Sequence, residues 1–135
     1  MAQPAAVRQT GAETIFWDLS SLYTSREDPH IEADLQHTQQ LADSFAQTYR
    51  GKLGSLDAEE WRQAFDDLAV ISDLRAKSYT YASLNFTVYS SDASWGAFIQ
   101  KMQEMQSQIS QSLVFFDLEW NNLPGNACYM LVVWP

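Results

Sequence analysis

The stretch Asp57–Tyr89, DAEEWRQAFDDLAVISDLRAKSYTYASLNFTVY, decides the fold of this chain. Asp57 is suited to cap a helix, and Glu60, three residues later, is suited to return the hydrogen bond in a capping box. Leu56 and Trp61 flank the cap at the positions of a hydrophobic staple. Beyond the cap, two stripes recur in steps of three and four: Trp61, Phe65, Leu68, Ser72, Arg75, Tyr79, Ala82, Phe86 and Tyr89, and Val70, Leu74, Lys77, Tyr81, Leu84 and Val88. Two largely apolar stripes predict a long helix that is buried on more than one side, so we expect the middle helix of a bundle.

The second half of this stretch also permits a strand. Ser78–Ser91 contains no charged residue, is rich in Tyr, Thr, Phe and Val, and alternates in a way that suits a β-strand. We prefer a helix, because no turn residue interrupts the pattern after Ala58 and no partner strand is evident. In either form we expect an uncharged surface of this kind to be covered.

Two further helices follow from similar signals. Asp28-Pro29 is typical of a helix start, and the stripe Ile31, Leu35, Thr38, Ala42, Phe45 and Tyr49 predicts a helix to about Arg50, with Gly51 ending it. Ser90, Ser91 and Asp92 form the next turn and cap. A helix from about Ala93 to Asn122 then carries the stripe Trp95, Phe98, Met102, Gln106, Ile109, Leu113, Phe116 and Trp120. The short links predict antiparallel neighbours.

The ends of the chain differ from its middle. Residues 1–14 are polar and without periodicity, which predicts a disordered or extended tail. Ile15–Tyr23 is dense in aromatic residues and is expected to pack on the helices as a strap or a single helical turn. Residues 124–135 are unusually apolar, and we expect them to pack on the bundle or on another chain. The prediction is an all-α, elongated antiparallel bundle of three long helices over residues 15–123, with an N-terminal aromatic strap.

Composition narrows the class of protein. The chain has 135 residues, enough for one domain, and a net charge of −9. Such an acidic balance argues against nucleic acid and against anionic membrane surfaces as partners. A single cysteine, Cys128, provides no disulfide framework. Without a signal peptide or a membrane-length apolar run, we expect a soluble cytoplasmic protein.

Few residues suggest chemistry. His30, Asp34 and His37 share one helical face and could bind zinc, but they also suit a solvated flank, which we prefer because metal sites usually draw ligands from several elements. The carboxylate pairs Glu59-Glu60 and Asp66-Asp67 lie at helix-start or solvent positions. The sequence therefore predicts no catalytic residue, no bound cofactor and no enzyme activity of the isolated chain. The aromatic residues of the uncharged stretch are the candidates for facing a partner or a channel: Tyr79, Tyr81, Phe86 and Tyr89.

Five short segments together resemble a known family. Phe16–Tyr23 is similar to the opening W-D-L-S-x-L-Y of oligoendopeptidase F-type zinc metallopeptidases, with Arg26–Pro29 following at the familiar distance. Tyr49–Leu53 resembles the family's Y-R-G-K-L helix end. Tyr81–Phe86 resembles part of its long second helix, and Phe116–Trp120 resembles F-x-L-E-W at the end of the third.

The resemblance implies the N-terminal helical region of such an enzyme, which helps to wall a channel that admits short peptides. In the family, zinc and the catalytic glutamate belong to a His-Glu-x-x-His helix far downstream, and no such motif is present here. The likeness ends after Leu123-Pro124, which suggests a truncated, frame-shifted or deliberately shortened chain. The expected partner is then the missing catalytic half. A different hypothesis is a stand-alone interaction module that pairs with a second copy of itself through the uncharged face.

Overall fold

The computed structural model describes residues 11, 15 and 17–125, and this part of the chain contains three α-helices and no strand. Helix α1 spans Pro29–Tyr49, α2 spans Ala58–Val88 and α3 spans Ala93–Asn121; a short 3-10 turn, Leu53–Ser55, joins α1 to α2. The all-α prediction is confirmed, and the strand alternative for Ser78–Ser91 is wrong. None of these helices contains a window long and apolar enough to cross a membrane.

Aspartate caps set the three helix starts, as predicted. Asp28 accepts a hydrogen bond from the backbone N–H of His30, with Pro29 as the first helical residue. Asp57 and Glu60 form the reciprocal capping box, with both distances at 2.9 Å. Asp92 accepts from the N–H of Ser94. Because short polar side chains satisfy the first free N–H groups of a helix, these boundaries follow from local sequence.

The apolar side chains form two cores at opposite ends of the bundle. The first core consists of Ala42, Phe45, Ala46, Tyr49, Leu53, Trp61, Ala64, Ile71, Ile109 and Phe115. The second core consists of Tyr23, Ile31, Leu35, Tyr81, Ala82 and Met102. The end of α1, the start of α2 and the end of α3 therefore meet in the first core. Helix α2 runs antiparallel to α1 and α3, and at about 1.5 Å per residue it is about 46 Å long.

Helix α2 is not a central rod flanked by the other two, because each pair of helices packs together. Its buried side chains are Trp61, Ala64, Ile71, Ser78, Tyr81 and Ala82. Phe65 and Val70, each counted in a predicted stripe, are 43% and 52% exposed. The buried positions of α2 therefore mix large residues with small ones such as Ala64, Ser78 and Ala82, while some large residues of the predicted stripes lie towards solvent.

A polar layer separates the two cores. It consists of Thr38 on α1, Arg75 and Ser78 on α2, and Gln106 on α3, each of which lies along its helix between residues of the second core and residues of the first. Thr38 and Ser78 are 1% exposed, and their hydroxyls donate to the carbonyls of Asp34 and Arg75, at 2.6 and 3.3 Å. Gln106 also donates to the Arg75 carbonyl, at 3.0 Å. Thr38 and Ser78 are thus satisfied within their own helices, and the Gln106–Arg75 bond joins α3 to α2 where a continuous apolar core would be expected.

The segment before α1 packs only in part. Leu19 and Leu22 are half-buried against the second core, and Tyr23 is buried within it. The N–H of Leu22 donates to the carbonyl of Leu19 at 2.9 Å, which forms a single tight turn. Ile15 and Trp17, however, are 67% and 79% exposed, so the expectation that this whole aromatic segment packs on the helices is wrong at its start. Phe16, residues 1–10 and 12–14, and the apolar residues 126–135 lie outside the described residues.

Candidate functional site

An apolar surface lies at the end of the bundle where α2 ends. It comprises Ile15, Trp17, Leu84, Val88 and Tyr89, and is called here the α2-end surface. Trp17, Val88 and Tyr89 are 79%, 65% and 47% exposed. Contiguous exposed apolar residues on a soluble domain are typical of contact surfaces. This surface is therefore the strongest candidate for a site of interaction in the described part of the chain.

A groove of about 360 Å³ runs through this surface, between the segment before α1 and the last turns of α2. Trp17 and Leu19 line one side of it, and Asn85, Val88 and Tyr89 line the other. Asn85 directs its amide to the carbonyl of Tyr81, at 2.9 Å, so this polar group is bound within its own helix. No charged residue occurs between Ser78 and Ser91. The groove therefore suits an apolar occupant.

A three-residue network attaches the segment before α1 to α1 and α2. The hydroxyl of Tyr23 donates to Asp34 at 2.8 Å, and the ammonium of Lys77 lies 2.7 Å from the same carboxylate oxygen. Burial, and then the hydrogen bond to Asp34, raise the pKa of Tyr23 far above its ordinary value. Burial alone would raise the pKa of Asp34, but the hydrogen bonds from Lys77 and Tyr23 outweigh it and lower that pKa. The network holds the neighbouring Leu19 and Leu22 against the second core.

The predicted metal candidates have other partners. Asp34 belongs to the network just described, and His30 places its Nδ1 atom 2.7 Å from an oxygen of the capping residue Asp28. His37 is exposed on the same helix. Within the described ranges, no group of three or more His, Cys, Asp or Glu side chains is arranged to hold a metal ion. In this structure His30 and Asp34 take part in capping and ion pairing.

The four predicted partner-facing aromatic residues have different environments. Tyr79 and Tyr89 are 39% and 47% exposed, and Tyr89 stacks on Trp95 with ring centroids 6.0 Å apart. Phe86 is half-buried beside Gly96. Tyr81 is 5% exposed and packs edge-on against Tyr23 at 5.3 Å, so the expectation of an outward-facing Tyr81 is wrong. The aromatic ring of Tyr23, reaching in from outside the helix, covers this residue.

The predicted non-catalytic carboxylates have structural roles. Glu59 and Asp66 form ion pairs with Arg62, and the hydroxyl of Tyr49 lies 3.1 Å from a carboxylate oxygen of Asp67. The carboxylate of Glu119 accepts from the backbone N–H groups of Gly51 and Leu53, at 2.6 and 3.4 Å. Glu119 thereby attaches the end of α3 to the link between α1 and α2.

Sequence reasoning missed two features. Trp17 was expected to be packed, although it is the most exposed large apolar side chain of the described residues. The polar layer was also missed. Arg75 and Gln106 both interrupt predicted apolar stripes, and that interruption could have indicated the layer. Comparisons with protein-family models, with curated proteins and with solved structures found no match to this chain.

Proposed function

We propose that this chain is a non-catalytic helical domain that packs on the catalytic half of an oligoendopeptidase F-like metallopeptidase and there helps to wall the peptide channel. The observation that carries the proposal is the exposure of Trp17, Val88 and Tyr89 on one contiguous surface. Covering a large apolar side chain contributes about 1.5–3 kcal/mol, so an uncovered group of this kind favours association. We place this function in the cytoplasm, in keeping with the acidic composition and the scarcity of cysteine.

The spatial arrangement of the resembling segments supports the proposal. Segment 17–23 packs on Tyr81 of the segment Tyr81–Phe86, through the ring of Tyr23. Segment Tyr49–Leu53 is hydrogen-bonded to Glu119 of the segment Phe116–Trp120. Segments that are far apart in sequence thus meet in pairs, as expected of motifs that preserve one packing arrangement.

A binding experiment tests the proposal. The chain is titrated, by calorimetry, into a catalytic fragment of an oligoendopeptidase F-type peptidase from which the N-terminal helices have been removed. We expect a one-to-one complex and a shift of peptide cleavage towards short substrates. Trp17→Ala should weaken binding by at least about tenfold, because loss of a central Trp anchor has that effect at interfaces. Trp17 is largely exposed, so the variant should fold normally.

Val114→Ser is the matched control, because Val114 is 51% exposed but lies on α3 away from the α2-end surface. This variant should bind as the unchanged chain does. Absence of a complex at micromolar concentration, or equal weakening by both substitutions, would count against the proposal. The isolated chain with added zinc should not cleave peptides, and clear turnover would contradict its non-catalytic role.

A second candidate function is homodimerisation through the same surface. It is favoured by the lack of charge between Ser78 and Ser91, since two copies of a neutral surface do not repel each other as the rest of this acidic chain would. Val88→Asp would then convert a dimer into a monomer in light scattering. A chain that stays monomeric at micromolar concentration leaves the packing on a catalytic half as the better proposal.

A further inference from the structure

The polar layer contains an arginine that has no carboxylate partner among the described residues. The Nε–H of Arg75 donates to the side-chain oxygen of Gln106 at 2.8 Å, and one Nη group donates to the hydroxyl of Ser110 at 2.9 Å. Gln106 is itself fixed, because its amide donates back to the Arg75 carbonyl at 3.0 Å. The guanidinium is therefore held in place by neutral groups, and three of its five N–H donors remain without a described acceptor.

This arrangement differs from that of the other two cations of α2. Arg62 and Lys77 are each held by a carboxylate. In a chain with 17 acidic residues against 8 basic ones, a carboxylate partner would be easy to provide for Arg75. Arg75 also occupies a stripe position between the two cores, where an apolar residue would often be more stabilising than a charged one. The two hydrogen bonds of Arg75 link α2 to α3 and leave part of its guanidinium open to a further partner.

A shallow groove opens beside the guanidinium, between α2 and α3. Its volume is about 240 Å³, and Ser72, Ala76, Tyr79 and Gln106 line it together with Arg75. Tyr79 is 39% exposed, so an aromatic face lies next to the cation. The groove is large enough for one terminal residue of a peptide but not for a helix. Its chemistry suits a carboxylate with an apolar side chain beside it.

We propose that this groove binds the C-terminal carboxylate of a short peptide, with Arg75 as the anion anchor, Gln106 and Ser110 as the residues that position it, and Tyr79 as the contact for the last side chain. A planar guanidinium with free N–H groups can bind both oxygens of a carboxylate at once. The proposal does not depend on a catalytic partner. Its test uses the chain alone, so it and the proposed function can fail separately.

The test is a titration of the full, isotope-labelled chain followed by NMR. The probe is N-acetyl-alanyl-phenylalanine as the free acid, compared with the same dipeptide as its amide. We expect saturable, millimolar binding of the acid, with shifts at residues around Arg75 and Tyr79. The amide should bind about tenfold more weakly, because a hydrogen bond to a charged group is worth roughly that factor.

Variants separate an anchor from a structural residue. Arg75→Gln should reduce binding of the acid to the level of the amide. Arg75→Lys should retain only part of that binding, since lysine keeps the charge but lacks the planar guanidinium that can bind both carboxylate oxygens. Arg62→Gln is the control, because Arg62 is an exposed arginine on the same helix and should leave binding unchanged. The proposal is overturned if acid and amide bind equally, if binding does not saturate, or if Arg75→Gln changes stability alone. A purely structural role for Arg75, in which it only holds α2 against α3, would give that last result.

Discussion

Asp28 illustrates how much one side chain contributes to this fold. Its carboxylate accepts from the backbone N–H of Thr24 at 2.9 Å, from that of His30 at 3.0 Å and from the Thr24 hydroxyl at 2.8 Å. These two N–H groups first, and then the His30 ring and the Thr24 hydroxyl, hold the pKa of Asp28 far below its ordinary value. One residue therefore caps α1 and fixes the turn that leads into it.

This environment predicts a pH-dependent loss of stability. The pKa of Asp28 is lower in the folded chain than in the unfolded chain, where it is about 3.9. Its stabilisation is therefore complete above that value and is lost as the pH falls towards the folded pKa. Asp28→Ala should lower the melting temperature by several degrees at neutral pH, and the difference from the unchanged chain should shrink as the pH falls to about 2.

The melting temperatures are measured across this pH range by thermal unfolding, monitored with circular dichroism. Asp73→Ala is the control, because Asp73 is an exposed residue within α2 and its carboxylate makes no hydrogen bond to the described residues. It should have little effect at any pH. A difference between the Asp28 variant and the unchanged chain that stays constant down to the lowest pH would contradict this account.

At the scale of an element, the link between α1 and α2 depends on one glycine. Gly51 has φ +77°, a conformation that costs other residues about 1–2 kcal/mol. Its N–H and that of Leu53 point to the carboxylate of Glu119 on α3. The turn is thus closed by its own backbone conformation and by a carboxylate from the end of α3, which is distant in sequence but packs at the same end of the bundle.

Gly51→Ala should therefore destabilise the chain by about 1 kcal/mol, as measured by the urea midpoint. Gly54→Ala is the matched control in the same link. Its added Cβ would meet only Leu123, at an ordinary 3.7 Å, and its φ is not positive. It should be neutral or slightly stabilising, because it reduces the freedom of the unfolded chain. Equal losses in both variants would exclude the backbone explanation.

At the scale of the whole molecule, the polar layer divides one bundle into two cores. Replacing both Arg75 and Gln106 by Met and Leu should join these cores and raise the free energy of unfolding by about 1 kcal/mol, the low end of what exchanging fully buried polar groups gives, because both side chains are only half-buried. Gln106→Leu alone should instead lower it, because Arg75 then loses the acceptor of its Nε–H. Urea unfolding of both variants gives the sign of each change. A double variant that is less stable than Gln106→Leu would contradict this account of the polar layer.

The buried side chains could be predicted from the sequence for some helices better than for others. The stripes of α1 and α3 predicted their buried or half-buried faces, because each carries large apolar residues at helical spacing. The stripes of α2 did so only in part. Trp61 and Ala82 are buried as predicted. Ala64 and Ser78, outside the stripes, are 0% and 1% exposed, while Phe65 is 43% exposed. Side-chain size indicates which residues prefer burial, but the distance between helix axes decides which positions have room for them.

The sequence by itself determined the three helices, their aspartate caps and their order, because capping and periodicity are local properties that short stretches carry completely. Only the tertiary structure decided that Tyr81 is covered by Tyr23, that Trp17 is left exposed, and that Arg75 opens into a groove beside Tyr79. Each of these depends on which side chain arrives from a distant part of the chain. Contacts of this kind are set by the packing of whole helices, and no local pattern encodes them.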